Sequence, residues 1–185
     1  MNNTKLIKKA VKKEPDAFTE LFQQLMPDMY RVALAILMND EDAADAIGDT
    51  ILACWEKIGN LKRPEYFKTW LTKIVINKSN DILRKRRHNT YPERIPEQSK
   101  EDHYNLELKE ALSRLDEKYR LPVILYYFEG YNAKEIAKIL DVPESTVHTR
   151  LQRARKKLRS ELSDLTETEE NNENAYNRRF IYNEN

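Results

Sequence analysis

Only three glycines, Gly48, Gly59 and Gly130, occur in 185 residues. Tight β-hairpin turns demand positive φ angles, which glycine supplies most cheaply. A sheet built on such turns is hard to assemble from this chain, which leaves helices joined by polar loops. The periodicity agrees. Phe18, Leu21, Phe22 and Leu25 recur at three- and four-residue steps, as do Met29, Val32, Ala33, Ile36 and Leu37. With 34% charged and 40% apolar residues, the composition suits amphipathic helices with solvated outer faces. The expected fold class is all-α, with two small helical domains.

Pro15 and Asp16 open the first expected helix, with Pro27 at a kink or a first turn. The polar stretch Asn39 to Asp42 is a boundary and N-cap. A second helix runs from Ala43 through Ile58, with Ala46, Ile47, Ile51, Trp55 and Ile58 inward. After the loop 59–64 comes a long helix from Tyr66 to Arg87, with Phe67, Trp70, Leu71, Ile74, Val75 and Ile82 inward. These elements make a first domain, 1–88. Residues 89–105 contain two prolines and no periodicity, which marks a flexible linker. A second domain, 106–162, opens with Leu106, Leu108, Ala111, Leu112 and Leu115. Residues 121–130 read as a helix ending at Gly130 as its C′ residue. Residues 163–185 form a polar, acidic tail with the composition of a disordered segment.

The net charge of +1 is a cancellation. Residues 1–88 hold 16 basic and 12 acidic side chains, residues 106–160 hold 12 and 8, and residues 161–185 hold 2 and 7. Two basic blocks admit a polyanion partner without proving one. One cysteine, Cys54, excludes an internal disulfide and a cysteine-based metal cage. The histidines, His88, His103 and His148, form no catalytic constellation, so no cofactor or enzymatic activity is expected. No apolar run reaches the 18 residues of a membrane span, and the basic N-terminus lacks the pattern of a secretory signal. Neither membrane insertion nor secretion is expected, and a cytoplasmic setting follows.

Residues 131–159 read YNAKEIAKILDVPESTVHTRLQRARKKLR. Asn132 can cap a helix from Ala133 to Leu140, Asp141 and Val142 form a turn, and Ser145 is a candidate cap for a second helix. Ile136, Ala137, Leu140, Val142, Val147 and Leu151 make one apolar set, which is the layout of a helix-turn-helix. From Ser145 to Ser160 there are six basic residues and no acid. His148, Thr149, Gln152 and Arg153 are of types that hydrogen-bond base edges, whereas Arg150, Arg155, Lys156, Lys157 and Arg159 suit phosphates.

With these residues in view, the chain resembles RNA polymerase sigma factors of the extracytoplasmic-function (ECF, group 4) sigma-70 family over roughly residues 14–162. The resemblance implies a sigma2 domain, a linker and a sigma4 domain, with His148, Thr149, Arg150, Gln152, Arg153, Arg155 and Lys156 on −35 promoter DNA. The segment DAADAIGDTI resembles the family's DAEDLVQETF-like helix, which docks on the β′ coiled coil of core polymerase. That likeness implies a docking role for Asp42, Asp45, Ile47 and Asp49. Gly48 stands where the family usually has glutamine. The segment YFKTWLTKIVINKSNDILRKRR resembles the −10 recognition segment. It implies a pocket for an unpaired base at Asn60, Leu61 and Asn77, with Lys73, Lys78, Arg84, Lys85, Arg86 and Arg87 along the backbone. Phe67 and Trp70 are expected in the core. A membrane-bound anti-sigma factor is a further partner the class implies. The competing reading is a stand-alone helix-turn-helix regulator of duplex DNA, which needs neither an acidic docking helix nor a base pocket.

Overall fold

Every regular element among the described residues is helical. The structure, a computed structural model, describes residues 4–88 and 106–161. The expected linker and the acidic tail lie outside them. Four helices build the first domain: α1 (Thr4–Val11), α2 (Pro15–Leu37), α3 (Asp40–Lys57) and α4 (Phe67–His88). Helix α1 precedes the first element expected from periodicity. Its Leu6, Ile7 and Val11 pack on the core, and Ala10 is fully buried. Pro15 sits at the start of α2, where its missing N–H costs nothing. Pro27, expected at a kink or first turn, lies inside α2 and withholds one ladder donor there. Asn39 caps α3 as its sequence position suggests, its side chain accepting from the Asp42 N–H at 2.9 Å. Asp40, Glu41 and Asp42 then place negative charge at the positive end of the helix dipole.

The second domain comprises α5 (Leu106–Ser113), α6 (Glu117–Val123), α7 (Ala133–Leu140) and a last helix, α8, over residues 144–161. The helix expected to run on to Gly130 is interrupted. After α6, Ile124–Phe128 winds as a wider π-turn, with the Glu129 N–H bonded to the Ile124 carbonyl at 3.0 Å. Gly130 then adopts φ +71°, and the Tyr131 N–H closes on the Leu125 carbonyl at 3.0 Å. This turn points Tyr126 and Tyr127 outward and buries Glu129.

The two domains pack directly on each other. Leu21, Val32, Phe67 and Val75 of the first share one apolar core with Leu125, Ile136 and Val147 of the second. Arg120 reaches across from α6. Its Nε donates to the Ala35 carbonyl at 2.6 Å, near the end of α2, and its Nη1 donates to the Leu115 carbonyl at 2.6 Å. These carbonyls lie at or near helix ends, where intrahelical donors run out. Burial pulls the Arg120 guanidinium below its ordinary pKa, an effect that Glu117 and Asp116 oppose.

Cys54 is fully buried in α3, and burial pushes its thiol up to about 12. At pH 8 it is therefore expected to resist alkylation in the native protein and to label quickly once urea unfolds the chain. Comparing labelling rates in the two conditions checks this.

Candidate nucleic-acid interface

Helix α8 is set by local chemistry in the turn before it. Asn132 and Glu135 form a reciprocal capping box at the start of α7, with bonds of 3.0 and 2.9 Å. Asp141 ends α7 in the left-handed region at φ 53°, a conformation aspartate tolerates better than most residues. The Val142 N–H bonds the Ala137 carbonyl at 3.1 Å, which completes the turn. Ser145 is not the cap of α8. The helix begins one residue earlier, and Thr146 and Val147 donate to the Pro143 carbonyl at 2.9 and 3.3 Å.

Val147, Leu151 and Ala154 turn α8 inward, four and three residues apart. His148, Thr149, Gln152, Arg153, Arg155 and Lys156 are thereby exposed, whereas Arg150 is half-buried. Thr149 has its hydroxyl turned back to the Ser145 carbonyl at 2.9 Å, and His148 lies 3.7 Å from Glu144. Lys157 faces its own domain, 3.9 Å from Asp116 and over the Tyr119 ring. The far end of α8 is held down by Arg114, which donates to Glu161 at 2.8 Å.

In the first domain, the segment between α3 and α4 forms one wall of an open groove of about 650 Å³. Asn60, Leu61, Arg63, Tyr66 and Trp70 line it. Phe67 is core as expected, but Trp70 is only half-buried and faces this groove. The exposed Tyr66 ring, with Arg63 near its face, is a groove residue that sequence reasoning misses, although Tyr66 sits at the helix start beside the expected pocket. Lys73, Asn77 and Arg84 lie four and seven residues apart on α4 and are exposed, continuing the groove along one helix face. Lys78 is half-buried, and Arg87 belongs to the last turn of α4.

The acidic helix and the basic run are also brought together. A second open groove has Asp42, Asp45 and Asp49 of α3 on one side and Lys85 and Arg86 of α4 on the other. Arg86 pairs with Asp42 and Arg84 with Asp81, so part of the basic run is neutralised within the chain. Ile47 does not belong to this surface. It is buried in the core at 7% exposure, because its position on α3 puts it on the same inward face as Ala43 and Ala46. The large apolar side chain most exposed at the groove is Leu52, at 66%. Gly48 is exposed there too, and a Cβ at this position would stand in open space. Gly48→Ala is therefore expected to stabilise the protein by about 1 kcal/mol through helix propensity. Urea denaturation of the two proteins checks this.

Comparison with known proteins shows the family. Residues 21–89 match the family Sigma-70 region 2, and residues 105–158 match Sigma-70, region 4. The RNA polymerase sigma factor SigV of Bacillus subtilis is 34% identical over 141 residues, covering 74% of this chain and 85% of SigV. The chain belongs to the ECF sigma-70 family. The ECF sigma factor SigW of Bacillus subtilis, 27% identical, spans 87% of this chain and 97% of its own. Among solved structures, the sigma factor RpoE from Bartonella quintana, in complex with the anti-sigma factor NepR, has the same fold. Its TM-score is 0.69 at 23% identity, over 79% of this chain and 96% of RpoE. CnrH, solved with the cytosolic domain of CnrY, gives 0.65 at 26% identity over 88% of this chain and 97% of CnrH. In this ECF sigma factor, region 2 spans the acidic groove, the aromatic groove and the α4 face, and region 4 spans the helix-turn-helix. No helix among the described residues is long and apolar enough to cross a membrane.

Proposed function

We propose that this sigma factor binds core RNA polymerase through the acidic groove of α3 and directs initiation by reading duplex −35 DNA with α8 and an unpaired −10 strand with the first domain. The observation that carries this reading is the presence of both sigma-70 regions in one chain whose family members include named RNA polymerase sigma factors. The physical chemistry supports each step. Gln152 and Arg153 stand exposed on α8, which carries no acid from Ser145 to Ser160, after a helix-turn-helix turn, where side chains reach base edges in the major groove. Arg155 and Lys156 add phosphate contacts. Unstacking a −10 base costs a few kcal/mol, and a groove with Tyr66 and Trp70 on its wall offers aromatic surface in return. Asn60 and Leu61 edge that groove, and Lys73, Asn77 and Arg84 carry positive and amide groups away from it along α4.

At the polymerase, Asp45 and Asp49 supply charge and Leu52 supplies the apolar contact in place of Ile47. Asp42 contributes by holding Arg86 at the groove edge. The polymerase performs the chemistry and this chain selects the site, in the cytoplasm where polymerase works. A protein of the anti-sigma class, membrane-bound as the family implies, is proposed to restrain it. RpoE and CnrH, solved with NepR and CnrY, support that partner. Run-off transcription with purified core polymerase on a promoter library tests the reading. A defined set of start sites, absent when the protein is omitted, is expected. DNA binding unaffected by core polymerase, with no run-off product, would favour the stand-alone regulator instead.

A further inference from the structure

We propose that the acidic segment 164–173 docks on the exposed cations of α8 and so competes with DNA for that helix. The docking follows from the charges of this chain, and its consequence for promoters rests on the −35 reading above. The segment reads DLTETEENNE, with five acids, Asp164, Glu167, Glu169, Glu170 and Glu173, and no base. It lies outside the described residues and begins three positions beyond the end of α8.

The surface it fits is defined by what the rest of the chain leaves uncovered. Arg84 pairs with Asp81, and Arg86 with Asp42. At the end of α8, Arg114 takes up Glu161 at 2.8 Å, and Lys157 turns aside towards Asp116 at 3.9 Å. Arg153, Arg155 and Lys156 instead face outward, and no carboxylate among the described residues lies within ion-pairing distance of them. Arg153 and Lys156 stand three residues apart, so they repel each other as like charges on one face. An anion laid over them relieves that repulsion.

Reach and tethering select this segment as the anion. Lys156 and Arg153 lie about 7 and about 12 Å back along α8 from Glu161, at the rise of an α-helix. The three-residue step to Asp164 spans about 10 Å, and the ten residues that follow span up to about 35 Å when extended. That exceeds the whole of α8, about 27 Å long. Each exposed ion pair is weak and screened by salt. A segment joined so closely to its site nevertheless presents its acids at an effective concentration in the millimolar range, about. Lys73 and Lys78 on α4 also lack a carboxylate partner among the described residues, but the segment is not joined to that helix.

The test compares the full chain with a full-length variant carrying Glu167→Gln, Glu169→Gln, Glu170→Gln and Glu173→Gln. Backbone amide NMR spectra at about 50 mM salt, where the Debye length still exceeds 10 Å, are expected to show Gln152, Arg153 and Lys156 signals displaced between the two proteins. Core signals such as Leu125 and Ile136 should coincide. Unmoved α8 signals would overturn the proposal, as would displacement confined to Lys73 and Asn77 on α4. Duplex binding is then read by fluorescence anisotropy on a labelled DNA of about 20 base pairs and arbitrary sequence, since phosphate contacts do not depend on sequence. The variant is expected to bind about tenfold tighter at about 50 mM salt, with the gap closing by about 300 mM. Its salt slope should be steeper by about 2, because in the parent the acids have already displaced counterions from α8. Equal affinity and slope would overturn the competition. An undocked acidic tail that repels DNA at long range would also weaken binding, but it would leave the α8 signals in place, and that result overturns the docking. Failure of both proteins to bind any duplex would count against α8 as a DNA-reading helix, while the spectra would still decide the docking.

Discussion

Replacing Arg153 by alanine is expected to lower transcription from the cognate promoter about 5- to 150-fold, the equivalent of about 1–3 kcal/mol for one base-reading contact. Arg153 is exposed on α8, on the side opposite Val147, Leu151 and Ala154, so its removal leaves no cavity. The loss should therefore fall on promoter binding and not on stability. It should also relax discrimination at one base pair of the −35 element. Lys156→Ala provides the contrast, since a phosphate contact weakens all sequences alike and lowers the salt slope by about 1. The measurement is run-off product from core polymerase on matched and single-substitution promoters, over a salt series. If Arg153→Ala weakens every promoter equally, Arg153 contacts phosphate and the base reading belongs to Gln152.

The second large effect concerns the support beneath that helix. Ile136 is fully buried in α7, in the core shared with Leu125 and Val147. Ile136→Ala is expected to cost about 2–5 kcal/mol, through lost transfer energy and an unfilled cavity. Against a typical total of about 5–15 kcal/mol this is a large fraction. Because α7 carries the Asp141 turn that aims α8, promoter activity should fall at temperatures where the parent is fully active. Ile136→Val should cost only about 0.5–1.5 kcal/mol. Urea denaturation of the three proteins gives the comparison, and near-equal stability of parent and alanine variant would mean that the site collapses around the gap.

What can be read in advance follows the range of each interaction. The Asn132 capping box, the Asn39 cap, the Gly130 stop and the Asp141 turn each depend on residues within a few positions of one another, and all four are legible. The outward face of α8 is legible for the same reason, because Val147, Leu151 and Ala154 mark its inner side by spacing alone. The α1 helix has a signal, Leu6, Ile7, Ala10 and Val11, that its many lysines obscure. Ile47 illustrates the limit of likeness. The resemblance of its segment to the family's places it among docking residues, but the spacing of Ala43, Ala46 and Ile47 puts it inside. The π-turn after Pro122 has no signal, since a five-residue helical winding uses the same residue types as an α-turn. Least visible are the contacts between domains. The Arg31–Glu129 bond joins residues 98 apart, and Arg120 reaches a carbonyl 85 residues away. A charged residue destined for burial looks like any surface charge until its distant partner is placed.

The burial of Cys54 has a practical consequence. A chain whose native thiol stays silent to alkylating reagents accepts two reporter cysteines, one in each domain, without a cysteine-free background. Dye or spin pairs placed at exposed sites would then report the distance between the helix-turn-helix and α4 directly. The same labelled protein could be followed as polymerase and then promoter are added, giving the order of those events in time.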